Sequence, residues 1–434
     1  MLRIGVTGLA RAGKTAFLTS ASANLLAWGA GRAALPALGA AGSVGVAVAP
    51  AGASALPRFD IARHRAALAA DPPDWPARTN AASLLALDLM LPRKSFGVTL
   101  PPHRLRVELL DYPGEWLLDL PLLQTDFSKW SAQTLARLQN LPGDVTRDFL
   151  AFSAGLPARA PADEALVAAG HALYRTMLMR LRDEHRLALL QPGRFLMPAP
   201  GDAPPWMAFF PHAGAGPVPS LLAERYNRYV AAAREDLSAP MFGNLDRIVV
   251  LADVLTALHA GPAAFADTQA ALASVSAALR WRAGWLDGLL ALGQGRWPPR
   301  TITRVAYAAT KADHVAGRQR GNLSALMRDL VRDPSGGPDV TTAHYAIAAV
   351  RCTEDVVWQL DGHPVSAVRG RRIGDSAMGK SYPGEVPDRV PDAAFWQHPF
   401  LTLPDFEPLR LPDRAGVPCL AMDELLAFIL ADVL

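Results

Sequence analysis

Cysteine is nearly absent from this chain of 434 residues: there are two, Cys352 and Cys419, in apolar or mixed surroundings. Two thiols so placed give neither a metal-ligand spacing nor a disulfide framework, and the simple expectation is a reduced, cytoplasmic compartment. A charge excess is missing as well. Lys and Arg number 43 against 40 acidic residues, a formal net charge of +3, so no nucleic-acid partner is expected. The histidines are scattered, which leaves Mg2+ as the one metal expected. The most apolar stretch, Ala21 to Leu56, is broken by Arg32, Pro36, Pro50 and several glycines. A spanning helix needs roughly 20 consecutive apolar residues, so no transmembrane segment is expected, while peripheral membrane contact stays open. Met-Leu-Arg runs straight into a strand pattern, with no apolar signal-peptide region and no small-residue cleavage site.

What is present is a globular composition, 50% hydrophobic and 19% charged, with enough apolar surface for one large domain or two ordinary ones. Arg3 to Thr7 reads as a short buried strand and Lys14 to Trp28 as the helix after it. A basic helical segment follows at Arg58 to Ala70. Three prolines make Asp71 to Arg78 a loop. Ser83 to Leu91 and Arg104 to Leu110 are strands that can pair antiparallel. Long helical patterns then dominate, Ala162 to Ala188 and Leu221 to Leu237 among them, around a Pro-rich segment from Gln191 to Pro219. Buried strands are expected at Arg247 to Leu251, Arg304 to Ala308 and Tyr345 to Val350, a hairpin around Asp361-Gly362, and an amphipathic closing helix at Met422 to Leu434. The expected architecture is α/β, with a mainly parallel sheet made by residues 1–115 and 246–434 and a large helical insertion at 116–245. The aromatics of that insertion (Trp130, Tyr174, Trp206, Phe209, Phe210) fit either a partner face or a core.

Gly8-Leu9-Ala10-Arg11-Ala12-Gly13-Lys14-Thr15 matches G-x-x-x-x-G-K-[ST] between a strand and a helix. The glycines let the backbone curl around phosphates. The N–H groups of Ala10, Arg11, Ala12, Gly13 and the helix start through Ala16 form an anion nest. Lys14 is placed for the β- and γ-phosphates, and the Thr15 hydroxyl for Mg2+. Arg11 either adds positive charge there or faces solvent. The strand ending at Leu110 delivers Asp111-Tyr112-Pro113-Gly114-Glu115. A carboxylate there suits a magnesium site, and D-x-x-G suits a switch in which the Gly114 N–H senses a γ-phosphate. Thr79 is the candidate second hydroxyl ligand, or else an ordinary strand-start hydroxyl.

Thr310-Lys311-Ala312-Asp313 fits the [NT]-K-x-D pattern of guanine recognition. The Asp carboxylate accepts from the guanine N1–H and 2-amino group, a donor pair that adenine lacks, and the Lys stem lies along the base. Val350 and Arg351, after the next strand, are candidates for the guanine carbonyl and the ring face.

These stretches, with Trp75-Pro-Ala-Arg-Thr79 and Arg247-Ile-Val-Val-Leu-Ala-Asp-Val254, resemble the YcjX-like P-loop GTPases over nearly the whole chain. The resemblance implies GDP/GTP binding, a G domain with a helical insertion, a link to bacterial stress response, and partnership with an integral inner-membrane protein. Glu115 stands where many GTPases carry a water-orienting glutamine. A carboxylate there accepts a proton but cannot donate to a γ-phosphate that also repels it, so slow turnover is expected. Glu115 is a candidate catalytic group or a solvated loop carboxylate. A slow, Mg2+-dependent GTPase switch is the leading reading. An ATPase or small-molecule kinase, and a nucleotide-binding scaffold without turnover, are the alternatives.

Overall fold

The computed structural model describes residues 1–50, 56–77, 82–95, 98–157, 159–197, 203–238, 245–282, 302–331, 340–375, 377–398, 403–411 and 416–434. The chain divides into two compact units, Met1–Pro113 with Asn244–Leu434, and Gly114–Gly243.

The first unit contains strands β1 (Leu2–Gly8), β2 (Gly45–Val48), β3 (Ser83–Ser95), β4 (Val98–Asp111), β5 (Arg247–Ala252), β6 (Arg304–Ala309) and β7 (Thr341–Ala346). They form one sheet in the order β2-β3-β4-β1-β5-β6-β7. From β4 to β7 every neighbour is parallel; β2 and β3 add an antiparallel edge. The helices, in chain order, are α1 (Lys14–Gly29), α2 (Ile61–Leu68), α3 (Gly114–Leu117), α4 (Phe127–Leu138), α5 (Gly143–Gly155), α6 (Glu164–Asp183), α7 (Pro217–Ser238), α8 (Val254–Ala260), α9 (Pro262–Arg282), α10 (Arg320–Leu330) and α11 (Met422–Leu430); α3 to α7 belong to the second unit.

The apolar run of β5 is explained by its place. All six residues are buried, as a strand covered on both faces requires. In β6 the alternation of side chains shows what covers each face. Ala306 and Ala308 share a core with Phe17, Leu18 and Leu25 of α1 and Met422, Leu425 and Ile429 of α11. Tyr307 points the other way, its hydroxyl 3.2 Å from Ser276 Oγ of α9. Helix α1 is buried almost all round, and its small polar residues stay satisfied within it: Thr19 Oγ1 donates to the Thr15 carbonyl at 2.7 Å and Ser22 Oγ to that of Leu18 at 2.6 Å.

One strand lies earlier than expected. The run Tyr345 to Val350 reads as a buried strand, yet β7 ends at Ala346 and is half-exposed along the sheet's edge. Ile347, Ala348 and Val350 are buried because Ala348 exchanges hydrogen bonds with Leu420. The apolar run reports burial under a covering segment, not extension of the sheet. Strands β8 (Glu354–Leu360), β9 (His363–Arg371) and β10 (Met378–Ser381) form a separate three-stranded antiparallel sheet. Asp361 and Gly362, at φ of 49° and 81°, make the two-residue turn between β8 and β9, which needs left-handed backbone at both positions.

The second unit packs its helices around aromatic rings. Trp130, Tyr174, Phe209 and Phe210 are buried, and Trp130 stacks on Tyr226 with centroids 5.1 Å apart. Trp206 is half-buried against the same core. These residues are core, not a partner face.

Candidate nucleotide-binding site

The strand order reverses at β1: the chain passes from β1 to β4 on one side and then to β5 on the other. A crevice beyond the carboxyl ends of the strands is expected at that switch point, and the loop Leu9–Gly13 leaves β1 there. Gly8 closes β1 against β5 so tightly that a Cβ would stand 2.5 Å from the Leu251 carbonyl oxygen. The Leu9 N–H donates to that same oxygen at 3.0 Å. Arg11 and Gly13 have φ of 63° and 80°, and these left-handed residues turn successive N–H groups inward as an anion nest does. Helix α1 starts at Lys14 with no acidic residue in its first turn, so no carboxylate of the helix itself offsets its positive end. Lys14 Nζ lies 3.4 Å from the Gly8 carbonyl oxygen, folded over the loop. The neighbouring Thr15 is buried and Ala16 half-buried.

Asp111 is the last residue of β4 and pairs with Val6 of β1. It is buried, and the Tyr112 N–H carries the ladder one residue further by donating to the Val6 carbonyl at 2.9 Å. Thr15, in the first turn of α1, and Asp111, at the end of β4, are buried oxygen donors, hard ligands of the kind Mg2+ takes. Thr79 lies outside the described residues.

Two strands from β1, the end of β6 delivers Thr310 to Asp313. Adjacent strands lie about 4.8 Å apart, which sets the two loops roughly 10 Å apart across β5. One strand end ties them together: the Leu251 carbonyl holds Leu9, and the Ala252 carbonyl accepts from Thr310 N–H at 2.9 Å and Oγ1 at 3.3 Å. Lys311 has a left-handed backbone, φ 60°. Its ammonium sits 2.7 Å from Asp253 Oδ2 and 3.3 Å from Thr256 Oγ1. Burial pulls the Lys311 pKa down, but the charge and hydrogen bond of Asp253, with Asp405 and Cys352, turn the net shift upward. Asp313 is 1% exposed. Its Oδ2 accepts the Cys352 N–H at 2.6 Å and the thiol at 3.0 Å, and its carbonyl accepts the Thr353 hydroxyl. Oδ1 has no protein partner among the described residues.

The chain after β7 meets Asp313 through Cys352 and Thr353. Val350 packs with Ala23, Leu68 and Val417. The Arg351 N–H donates to the Pro418 carbonyl at 2.8 Å, and its guanidinium to the Thr353 carbonyl at 3.1 Å.

The model of the YcjX-like family, DUF463, matches residues 2–434. The chain belongs to the YcjX-like family. Two similar proteins bear the name Ras-like GTPase YcjX. That of Escherichia coli (strain K12) is 34% identical over 460 aligned residues, spanning 100% of this chain and 96% of its own length. That of Shewanella oneidensis is 29% identical over 472, spanning 100% and 94%. With this strand order, YcjX-like membership makes the first unit a P-loop G domain.

In this YcjX-like chain the D-x-x-G tetrad is where the backbone leaves the G domain: Pro113 ends the first unit and Gly114 opens the second. Glu115 is not on a solvated loop. It lies in the buried turn of α3, 7% exposed, with its carbonyl against Gly193, where a Cβ would approach to 1.9 Å. Within this unit the segment is gripped firmly. The Trp116 indole donates to the Met197 carbonyl at 2.8 Å, the Arg194 guanidinium lies 4.9 Å from the Trp116 ring centroid, and the buried Asp119 accepts the Gly193 N–H at 2.7 Å and the Tyr229 hydroxyl. Burial raises the Asp119 pKa to about 6, against the pull of those hydrogen bonds.

Two contributors escaped the sequence reading: Asp253 and Cys352. Asp253 was within reach, because it follows the apolar run of β5 as Asp111 follows that of β4. Cys352 was not, because its contact with Asp313 spans 39 residues.

Proposed function

We propose that this protein binds guanine nucleotide with Mg2+ and hydrolyses GTP to GDP and phosphate slowly, as a switch. The observation that carries the reading is the juxtaposition of two loops: the glycine-cornered loop before Lys14 and the loop holding Asp313 leave strands separated by one shared neighbour. The names of the relatives support it. The nest and Lys14 would hold the phosphates, the hydroxyl of Thr15 and the carboxylate of Asp111 the metal, and Asp313 the base edge. Magnesium, when bound, supplies charge neutralisation on the phosphates. Thr79 and Gly114 complete the switch in this reading. Glu115 can accept from an attacking water but cannot donate to the γ-phosphate, which fits slow turnover. Among the described residues no helix is long and apolar enough to cross a membrane. A cytoplasmic location rests on the scarcity of cysteine; contact with an inner-membrane protein and a part in stress response rest on family resemblance.

Asp313→Asn tests the base assignment. Asn Oδ1 can still accept from Cys352, while its amide would face the base and donate to the carbonyl that xanthine carries in place of the guanine amino group. Xanthosine diphosphate should then bind tighter than GDP; unchanged preference for GDP would remove Asp313 from the base site.

A further inference from the structure

Behind the base loop three side chains of different chemistry converge. Cys352 Sγ lies 3.0 Å from Asp313 Oδ2 and 3.4 Å from His314 Nε2, and one ligand atom from each residue lies within 4.8 Å of the others. All three residues are buried. Spacing along the chain conceals the cluster, because the cysteine is 38 residues from the histidine.

We propose that Asp313, His314 and Cys352 form a Zn2+ site whose occupation weakens guanine-nucleotide binding. A thiolate, an imidazole nitrogen and a carboxylate oxygen make a ligand set suited to zinc. Tetrahedral zinc with bonds of about 2.0–2.3 Å, a water filling the fourth position, sets its ligands roughly 3.3–3.8 Å apart, so the two short edges must open by a few tenths of an ångström and the Asp313–His314 edge, within 4.8 Å, must close by up to about 1.5 Å. Uptake releases the Cys352 S–H proton to solvent. Zinc with one thiolate and one carboxylate is then neutral overall, as a buried site favours. His314 Nδ1 is buried with no hydrogen-bond partner, so the hydrogen bonds of the described residues do not by themselves close the cluster. A ligating histidine normally donates its second N–H to an acceptor; lacking one, this site should bind zinc tenfold to a hundredfold more weakly than an otherwise similar site with that partner, on the order given by. Zinc on Asp313 Oδ2 leaves Oδ1 as an acceptor but neutralises the carboxylate's charge, so the guanine N1–H and 2-amino group are held more weakly. This coupling rests on the base assignment above; the metal site does not.

The test is Co2+ titration of the metal-free full chain. A thiolate-to-cobalt charge-transfer band with tetrahedral intensity is expected, bleached by Zn2+, lost in Cys352→Ser, kept in Cys419→Ser and weakened at least about tenfold in His314→Gln, the order expected for one ligand. X-ray absorption of the zinc-loaded wild type, which avoids any folding defect of a variant, should show one sulfur at about 2.3 Å with nitrogen and oxygen ligands. No band, or a band that survives Cys352→Ser, overturns the site. Zn2+ in the presence of excess Mg2+ should weaken GDP binding at least tenfold in the wild type but not in His314→Gln; unchanged GDP affinity overturns the coupling. If the metal-free chain binds GDP no better than ADP, the guanine reading fails while the cobalt result stands.

Discussion

Asp253 is the most informative single position in the G domain, because one carboxylate performs two separable tasks. Its Oδ1 accepts the Thr256 N–H at 3.0 Å and caps α8; its Oδ2 accepts the Thr256 hydroxyl at 2.7 Å and pairs with Lys311 at 2.7 Å. Removing a helix cap costs about 1 kcal/mol. Breaking a fully buried ion pair costs about 3–5 kcal/mol, but the Lys311 side chain is 35% exposed and the Asp253 side chain 7%. Water can rehydrate the freed ammonium, so about 1–2 kcal/mol is the reasonable share. Asp253→Ala should therefore lose about 2–3 kcal/mol, a fall of roughly 3–5 °C in melting temperature for a unit of this size. Asp253→Asn keeps the cap and loses the charge, so about half of that loss should return. Lys311 freed from Asp253 no longer lies fixed beside the base, so both variants should weaken GDP binding more than Mg2+-pyrophosphate binding. Calorimetric melting and nucleotide titration read the two effects. An alanine variant that melts with the wild type, or Asn and Ala variants that behave alike, would refute the division of labour.

Lys14→Ala should lower nucleotide affinity at least about tenfold, the loss of one charge-assisted contact, with little change in melting temperature. Gly8→Ala would place a methyl 2.5 Å from the Leu251 carbonyl oxygen, so it should cost about 2–3 kcal/mol by forcing β1 from β5 and abolish nucleotide binding in a titration. Asp119 carries a pH signature. Its native pKa, about 6, is raised from 3.8, so the stability its proton contributes is fully present below about pH 4 and is lost as pH rises through 6. The loss amounts to about 3 kcal/mol. Denaturant melts from pH 4 to 7 should show that loss in the wild type relative to Asp119→Asn, and parallel profiles would contradict the shift.

The G domain was legible because its motifs are local. Gly8 to Thr15, Asp111 and Thr310 to Asp313 each sit at the end of an apolar strand, and a strand's carboxyl end is readable from a hydrophobic run and what stops it. Strands β1, β5 and β6 were legible for the same reason. The run Tyr345 to Val350 misled because burial and strandedness share one signal there: Ile347 to Val350 are covered by the segment around Leu420 rather than by a sheet. The cluster behind Asp313 was invisible because its members meet only when β7 turns back. Glu115 read as a loop residue because a four-residue helix leaves no periodicity.

The central claim is that one purine spans the loop before Lys14 and the carboxylate of Asp313. Calorimetric titration of the purified chain with GDP and with ADP, each with and without Mg2+, tests it most directly. GDP should bind at least about tenfold tighter than ADP, a difference of about 1.4 kcal/mol. Equal affinities, or a preference for ADP, would contradict it.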